Sequence, residues 1–380
     1  MRLAWFRPDG TGSDELAPII EGLRETHDVH LIDARAAHDF VWQAAQGAFD
    51  LCVYELDDTL RHQYIWPYLL HYPGVLALRT SSLHWGRNLA LVHQHRDADR
   101  DAEMVFTDGT ARTDPPWPLL RGEWSTWRVP VLASRLTVVA DDALGTAIGE
   151  SCPSSRVVVT PTGVPDREAV AAPSQHRTGI SVHVPASVPS RTIDAALRRA
   201  HQASAAPITR ASELDAADVV VATQWPTFGR PLVDVLSGFA AGRTVIIAET
   251  PSTAQWPSLD PQTWQPRSIS VGVGYTESPI AISIDPRDEE HSLMLALVRL
   301  SNDAALRATL GRAARAWWEQ HATVAHAVAA WRRLLDEART IAAPQRPAKW
   351  PAHLDADGSG LATSILDQFG LGPTKTYSQS

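Results

Sequence analysis

Cysteine and lysine are both scarce in this sequence. Cys52 and Cys152 are the only cysteines among 380 residues, too few for a disulfide framework, and this scarcity is typical of a protein from a reducing compartment. Only two of the 34 basic residues, Lys349 and Lys375, are lysines. We attribute the resulting surplus of arginine to overall composition and derive no function from it.

Long apolar runs and dense positive charge are also absent. No run of about 18 apolar residues occurs, so no spanning helix is expected, and the N-terminus lacks the apolar core of a signal peptide. The net charge of -9 argues against a nucleic-acid groove. These absences predict a cytoplasmic protein with no transmembrane segment and no nucleic-acid partner.

The length and the apolar periodicity predict two α/β domains. A chain of 380 residues exceeds one ordinary domain of ~100–200 residues. Short apolar strands are predicted at residues 3–6, 29–32, 51–54, 75–78, 136–140, 156–160, 180–184, 219–221, 244–247 and 280–284. Helical patterns occur at residues 15–25, 36–46, 60–71, 192–202, 232–241, 288–301 and 303–339. Continuous apolar strands separated by helices indicate parallel sheets with both faces covered.

We therefore predict two tandem Rossmann-like, doubly wound domains that face a cleft. The N-terminal domain spans residues 1–165, residues 166–178 form a linker, and the C-terminal domain spans residues 179–340 and ends in long helices. Residues 341–380 are rich in Pro, Gly and Ser and form a tail that either docks or stays loose. Residues 91–128 follow neither periodicity, and we interpret them as an irregular excursion from the first sheet.

The loop after the first predicted strand is a candidate anion site. Doubly wound domains bind ligands beyond the carboxyl ends of their strands. Gly10, Thr11 and Gly12 could present backbone N–H groups to an anion at the start of the following helix. A dinucleotide fingerprint needs a further Gly at position 15, which is Glu15, so a plain strand-to-helix turn is the alternative.

No metal site is predicted. Asp97 and Asp99 resemble an acidic metal-binding pair, but they lie in the alternating-charge run RDADRD, which is typical of a solvated surface. His93 and His95 precede this run, and no third ligand stands at a zinc-site spacing.

Some tryptophans allow two interpretations. Trp85, Trp225 and Trp264 stand in loop-like settings, where a ring could stack on a base or a sugar or could simply pack. A patch for peripheral membrane contact is a further hypothesis, with packing as its alternative. Its members would be Arg121, Trp124, Trp127 and Arg128.

Four segments carry a family resemblance. They are DLCVYELDDTLRHQYIWPYLLHYPGVLAL, WRVPVLASRLTVVADDALGTAIGESCPSSRVVVTPTGVPD, WPTFGRPLVDVLSGFAAGRTVIIAE and RAARAWWEQHATVAHAVAAWRRLLDEA. In this order they resemble bacterial glycosyltransferases of family four, which have the GT-B architecture. The matching parts are a strand-helix-strand unit, the segment before the linker, the donor-binding loop with its helix, and the last long helix. The resemblance touches most of residues 1–340.

This resemblance implies a retaining transfer of a sugar from a nucleotide-sugar donor in the cleft, with no metal and no other cofactor. A leaving diphosphate needs backbone N–H groups and basic side chains, and sugar or ribose hydroxyls need a carboxylate. Pro226, Thr227, Phe228 and Gly229 match the family's donor loop. The nucleotide-sugar and an acceptor of unknown identity are the implied partners.

Several expected site residues differ from the family pattern. Arg79 and Thr80 stand where the family has His-Asp, so they are the candidates at the catalytic position. Arg230 replaces a Glu of the donor loop, and the second Glu of the usual pair would fall at Gly238.

The start of the C-terminal domain departs as well. The basic pair of its first loop becomes Ala186 and Arg191. Residues 203–218 are too few for the strand-helix unit that the family carries there, so the second domain is predicted to be shortened.

Three functional interpretations follow. In the first, the protein is a transferase with an altered donor site, in which Arg191 and Arg230 together hold the diphosphate. In the second, it is an inactive relative that acts as a partner or regulator of an active transferase. In the third, the scaffold binds a ligand other than a sugar, because a fold does not fix a function.

Overall fold

The computed structural model describes residues 1–8, 15–108, 126–167, 179–188, 190–224, 232–254, 256–267, 278–356 and 366–369. Within them, two six-stranded sheets of parallel strands are flanked by helices. This arrangement confirms the predicted α/β architecture of two Rossmann-like domains.

The first sheet has the strand order β2-β1-β3-β4-β5-β6. Its strands are β1 (Arg2–Phe6), β2 (Asp28–Ile32), β3 (Leu51–Leu56), β4 (Val75–Leu78), β5 (Leu136–Val139) and β6 (Val157–Val159). Trp5 pairs with Leu31 on one side and with Val53 on the other, which fixes the register at the centre of the sheet. The four inner strands, β1, β3, β4 and β5, are mostly buried because helices cover both faces.

Among the described residues, seven α-helices belong to this part of the chain. They are α1 (Ala17–Arg24), α2 (Ala37–Ala45), α3 (Ile65–His71), α4 (His84–His93), α5 (Asp97–Asp108), α6 (Arg128–Ala133) and α7 (Asp142–Ser151). The helix predicted over residues 60–71 is divided into a short 3-10 helix (Leu60–His62) and α3. Pro67 is the third residue of α3, where its missing N–H removes no helical hydrogen bond.

The interpretation of residues 91–128 as an irregular excursion was wrong for its first part. Residues 97–108 form α5, and both Glu103 and Met104 of this helix are buried. The prediction failed because the alternating charges conceal a helical face: Asp97 and Arg100 pair across one turn, while position 104 turns inward.

The second sheet has the order β11-β12-β10-β9-β7-β8. Its strands are β7 (Ile180–His183), β8 (Ile208–Ala211), β9 (Val219–Ala222), β10 (Thr244–Ala248), β11 (Ser258–Leu259) and β12 (Ala281–Ile284). The helices that follow β6 in the chain are α8 (Ser190–Ala203), α9 (Val233–Ala240), α10 (Glu289–Asn302), α11 (Ala304–His321) and α12 (Val324–Thr340).

One strand that the sequence analysis expected to be missing is present. Residues 208–211 form β8, which pairs with β7 at the edge of the sheet. Residues 212–218 then form bends and turns in place of a helix before β9 begins. The second domain therefore lacks one connecting helix but retains its strand. The strand character of β8 is hidden in the sequence because its central residues, Thr209 and Arg210, are polar and exposed.

The long helix predicted over residues 303–339 is two helices. The break falls at Ala322 and Thr323, and the Thr323 side chain accepts a hydrogen bond from the backbone N–H of His326 to start α12. We expected α12 to belong to the C-terminal domain. Its buried face instead packs on α1 and the first sheet, where the rings of Trp331 and Trp5 lie 5.1 Å apart.

Part of the tail docks on the first domain. Leu354, in a short 3-10 helix (Ala352–Asp355), is buried in the same cluster as α3, and Trp350 packs edge-on against Phe106. In the described part of the chain, no helix is both long and apolar enough to cross a membrane.

Candidate functional site

The carboxyl ends of the two sheets meet across a cavity. The first-domain wall follows β5 and β6, while the second-domain wall follows β10 and includes parts of α9 and α11. The described residues enclose about 470 Å³. They are Ala140, Asp141, Asp142, Val159, Thr160, Pro161, Thr162, Leu232, Leu236, Ser252, Trp256, Pro257, Trp317, His321 and Ala322. This is the position in which doubly wound domains bind ligands.

Asp141 joins the two walls. One carboxylate oxygen caps α7 by accepting hydrogen bonds from the N–H groups of Ala143 (2.7 Å) and Leu144 (3.3 Å). The other accepts a hydrogen bond from the hydroxyl of Ser252, which follows β10. The side chain is buried, so its carboxylate oxygens accept hydrogen bonds from these protein donors in place of water.

A second polar cluster lies at the carboxyl edge of the second sheet. The Ser187 hydroxyl donates to the Asp234 carboxylate over 2.5 Å, and the Gln224 amide donates to the same oxygen over 3.1 Å. Gln224 and Asp234 also line a small cavity together with Thr250 and Thr253. The loops after β7 and β9 thus donate hydrogen bonds to one carboxylate, and the loop after β10 lines the cavity beside it.

Asp234 is a candidate site residue that the sequence analysis did not identify. The carboxylate was expected to align with Gly238, but Gly238 lies inside α9, where a Cβ would stand 2.7 Å from a methyl of Val245. Asp234 occupies the first turn of the same helix, one turn earlier. An acidic residue in the first turn of the helix after the predicted donor loop was the signal that could have identified it.

The first-domain residues that the sequence analysis predicts at the catalytic position are Arg79, which forms an ion pair, and Thr80, which is buried. The guanidinium of Arg79 contacts the carboxylate of Glu15, and both side chains are mostly buried. Thr80 is buried, and its hydroxyl lies 3.4 Å from the backbone N–H of Ser82. Arg79, neutralised by Glu15, offers only N–H donors at this position. The histidine of the family pattern could also accept a proton there.

His62 is close enough to Arg79 for its charge to affect the imidazole. Its Nδ1 lies 2.8 Å from the hydroxyl of Thr59. Burial lowers the pKa of His62 to about 4; the charge of Asp57 opposes this effect and the charge of Arg79 contributes to it. The imidazole is therefore neutral near pH 7.

The remaining predicted donor residues are only partly observed. Arg191 is exposed in the first turn of α8, and Ala186 is exposed in the loop after β7. The other predicted donor-site residues fall outside the described residues: Gly10, Thr11, Gly12, Pro226, Thr227, Phe228, Gly229 and Arg230. Within the described ranges, no group of three or more His, Cys, Asp or Glu side chains could hold a metal ion.

The tryptophans are distributed differently from the expectation. Trp85 is partly exposed on α4, and the Arg299 guanidinium lies 5.7 Å from the ring of Trp264. Trp127 of the supposed membrane patch is buried, whereas Trp124, Arg121 and Trp225 lie outside the described residues. The tryptophans lining the described part of the large cavity are instead Trp256 and Trp317.

No protein-family model and no curated protein matches the sequence. Solved structures are similar to it in fold. A sucrose-phosphate synthase from Thermosynechococcus elongatus covers 88% of this chain and 98% of its own, with a TM-score of 0.56 and 12% sequence identity. The glycosyltransferase of kitacinnamycin covers 88% of this chain and 99% of its own, with a TM-score of 0.46 and 13% identity. The chain has the GT-B fold of two Rossmann-like domains.

Proposed function

We propose that this GT-B chain is a glycosyltransferase-like protein that binds a nucleotide-sugar in its interdomain cleft and transfers the sugar without a metal ion. The observation that carries the proposal is the cavity of about 470 Å³ between the carboxyl edges of the two sheets, with a carboxylate cluster beside it. A donor held at this carboxylate cluster would place its reactive carbon at the edge of the cavity, between the domains.

The second domain would hold the nucleotide part of the donor. The Asp234 carboxylate would accept hydrogen bonds from sugar or ribose hydroxyls, and Ser187 and Gln224 keep it in one orientation. The diphosphate would lie at the N-terminus of α9, since no described side chain caps that helix and its first N–H groups favour an anion. Arg191 and Arg230 would supply the positive charge, which makes up for the loss of a basic residue at position 186.

The first domain would face the reacting sugar. Arg79, paired with Glu15, would direct N–H groups toward the transferred sugar, where they stabilise negative charge on the departing oxygen. Closure of the domains would exclude water, and the bond between Asp141 and Ser252 would help to fix the closed arrangement.

An inactive relative is the second candidate. The Arg79–Glu15 ion pair favours it, because it occupies the position of the family's His-Asp step. Such a protein would bind the donor and not turn it over, and it would act through an active transferase as its partner.

A thermal-shift screen of UDP-, GDP-, dTDP- and ADP-sugars tests donor binding. A donor at about 100 times its Kd should stabilise the protein by about 2.7 kcal/mol. The absence of a shift with all four classes would contradict donor binding. Release of the nucleoside diphosphate on addition of acceptor then separates an active enzyme from an inactive relative.

Asp234→Asn tests the assigned hydroxyl contact. Loss of a charge-assisted acceptor removes roughly 1.5–3 kcal/mol, so donor affinity should fall at least about tenfold. Asp194→Asn is the matched control, because Asp194 pairs with Arg210 on another part of the domain. Equal donor affinities of the two variants in isothermal titration would show that Asp234 is purely structural.

A further inference from the structure

The second-domain wall of the large cavity is aromatic. Trp256, in the loop after β10, and Trp317, on α11, have ring centroids 5.5 Å apart with an angle of 52° between the ring planes. Both rings rest on Phe239, and the ring of His321 lies 5.0 Å from that of Trp317. Both tryptophans line the cavity and are only partly buried, so part of each ring surface is open to it. Trp318, the next residue, is 2% exposed.

The first-domain wall is polar by contrast. Asp141, Asp142, Thr160 and Thr162 line it, with carboxylates and hydroxyls as their only side-chain polar groups. Asp141 is 7% exposed, which makes it a charged side chain that is almost fully buried at a cavity wall. Oxygen atoms of this kind bind hydroxyl groups well.

Saccharides match both walls of the cavity, because they have an apolar ring face and several hydroxyl groups. The C–H face of a pyranose ring is apolar and packs on an aromatic ring, while its equatorial hydroxyls donate hydrogen bonds sideways. A flat aromatic acceptor would also stack on the rings, but it offers few hydroxyl groups to the polar first-domain wall, and burial of polar groups without partners is costly. The volume of about 470 Å³ is within the ~300–1,000 Å³ range of small-molecule sites.

We infer that this cavity is the acceptor subsite and that it takes a saccharide, with the sugar ring stacked on Trp317 and Trp256. The assignment rests on the proposed function, because it requires a donor beside the cavity. Leu232 lines both the large cavity and the small one that contains Asp234, so the two sites adjoin. In the transfer, the acceptor hydroxyl oxygen bonds to the anomeric carbon, the bond from that carbon to the diphosphate breaks, and the hydroxyl proton leaves with the diphosphate.

The position of the cavity would bring an acceptor into contact with both domains. The two connections between the domains run along the cavity, one at Pro161 and Thr162 and the other at His321 and Ala322. They are joined by a hydrogen bond from the N–H of Val164 to the carbonyl of Ala322, 3.0 Å long. A saccharide in this place would be held at the hinge end of the cleft.

Binding of simple saccharides to the full-length protein tests the inference. Methyl glucopyranoside, methyl galactopyranoside, methyl mannopyranoside and maltose would be titrated calorimetrically, with 4-methylumbelliferone as a flat aromatic probe. Trp317→Leu should weaken saccharide binding at least about fivefold through loss of the stacking surface. Trp317→Phe keeps an aromatic ring and should retain most of the affinity. Trp42→Ala is the control, because Trp42 is 74% exposed on α2.

Nucleoside diphosphate binding is measured on the same variants with UDP, GDP, dTDP and ADP. Weaker saccharide binding by Trp317→Leu, with unchanged diphosphate binding, would support the acceptor subsite. Saccharide binding that is absent, or equal in wild type and Trp317→Leu, would overturn it while the proposed donor site stands. Binding of 4-methylumbelliferone in place of saccharides would overturn the assigned class. If the wild type binds none of the four nucleoside diphosphates, that result would contradict the proposed function itself.

Discussion

The buried carboxylate of Glu103, in the first domain, is kept ionised by its immediate partners. Glu103 is buried, which raises its pKa, but hydrogen bonds from His353 and Arg87 bring the pKa of Glu103 below its ordinary value. Arg87 reaches both carboxylate oxygens, at 2.9 and 2.5 Å, and its guanidinium also lies 4.3 Å from the ring of Trp66. This network attaches the tail to α5, because His353 belongs to the docked segment.

Burial of His62 should make stability depend on pH. Its pKa is lowered from 6.5 to about 4, mainly by burial, so the unfolded state takes up a proton first as the pH falls. The contribution of His62 to the free energy of unfolding is fully present above about pH 6.5 and is lost as the pH falls from about 6.5 toward 4. His84, whose pKa is also lowered to about 4 by burial, adds to the same effect. His62→Gln should reduce the slope of the free energy of unfolding against pH, measured in urea.

The exposed His38, on α2, provides the control for this measurement. His38→Gln should retain the wild-type slope. An identical slope in the wild type and in His62→Gln would show that His62 does not contribute to the acid sensitivity.

At the scale of elements, glycine is required where a helix and a turn lie too close together for a side chain to fit between them. Gly242 ends the turn after α9 with a φ of 65°, a backbone conformation that glycine adopts without strain. Gly311 of α11 packs directly on it, and a Cβ at position 311 would overlap the carbonyl oxygen of Gly242. The overlapping atom belongs to the backbone, so a side chain at position 311 would fit only if α11 or the turn at Gly242 moved.

Gly311→Ala should therefore destabilise the protein in spite of the better helix propensity of alanine. We expect a loss of roughly 1–3 kcal/mol from overpacking, seen as a lower urea midpoint. Gly149→Ala, on α7, is the matched control, because nothing lies within 4 Å of a Cβ at that position. It should stabilise by roughly 0.5–1 kcal/mol. Equal shifts for both variants would show that the contact between Gly311 and Gly242 can relax.

At the scale of the whole molecule, α12 connects the end of the chain to its beginning. It follows the second domain in sequence, but Trp331, Leu335 and Ala338 are buried with the residues of α1 and the first sheet. Arg332 adds a hydrogen bond of 2.8 Å to the carbonyl of Gly22. The first sheet thus receives part of its cover from residues more than 300 positions away.

Trp331→Ala should destabilise the first domain by roughly 3–5 kcal/mol, because a large buried ring is removed beside Trp5. Chemical denaturation followed by circular dichroism would measure the change. Trp42→Ala removes the same side chain from an exposed position and should change stability by less than about 0.5 kcal/mol. A similarly small effect of Trp331→Ala would mean that α12 docks only weakly.

The sequence by itself determined the local elements and the fold class. Buried parallel strands such as Val219–Ala222 are continuously apolar and so are recognisable one by one. Strand β8 and helix α5 were missed because each shows polar residues on the surface, and only neighbouring elements reveal which side is buried. The tertiary structure alone placed Asp234 beside Ser187, brought Trp256 against Trp317, and set α12 on the first sheet. These contacts join residues far apart in the chain, and their geometry depends on packing between elements, which local periodicity does not encode.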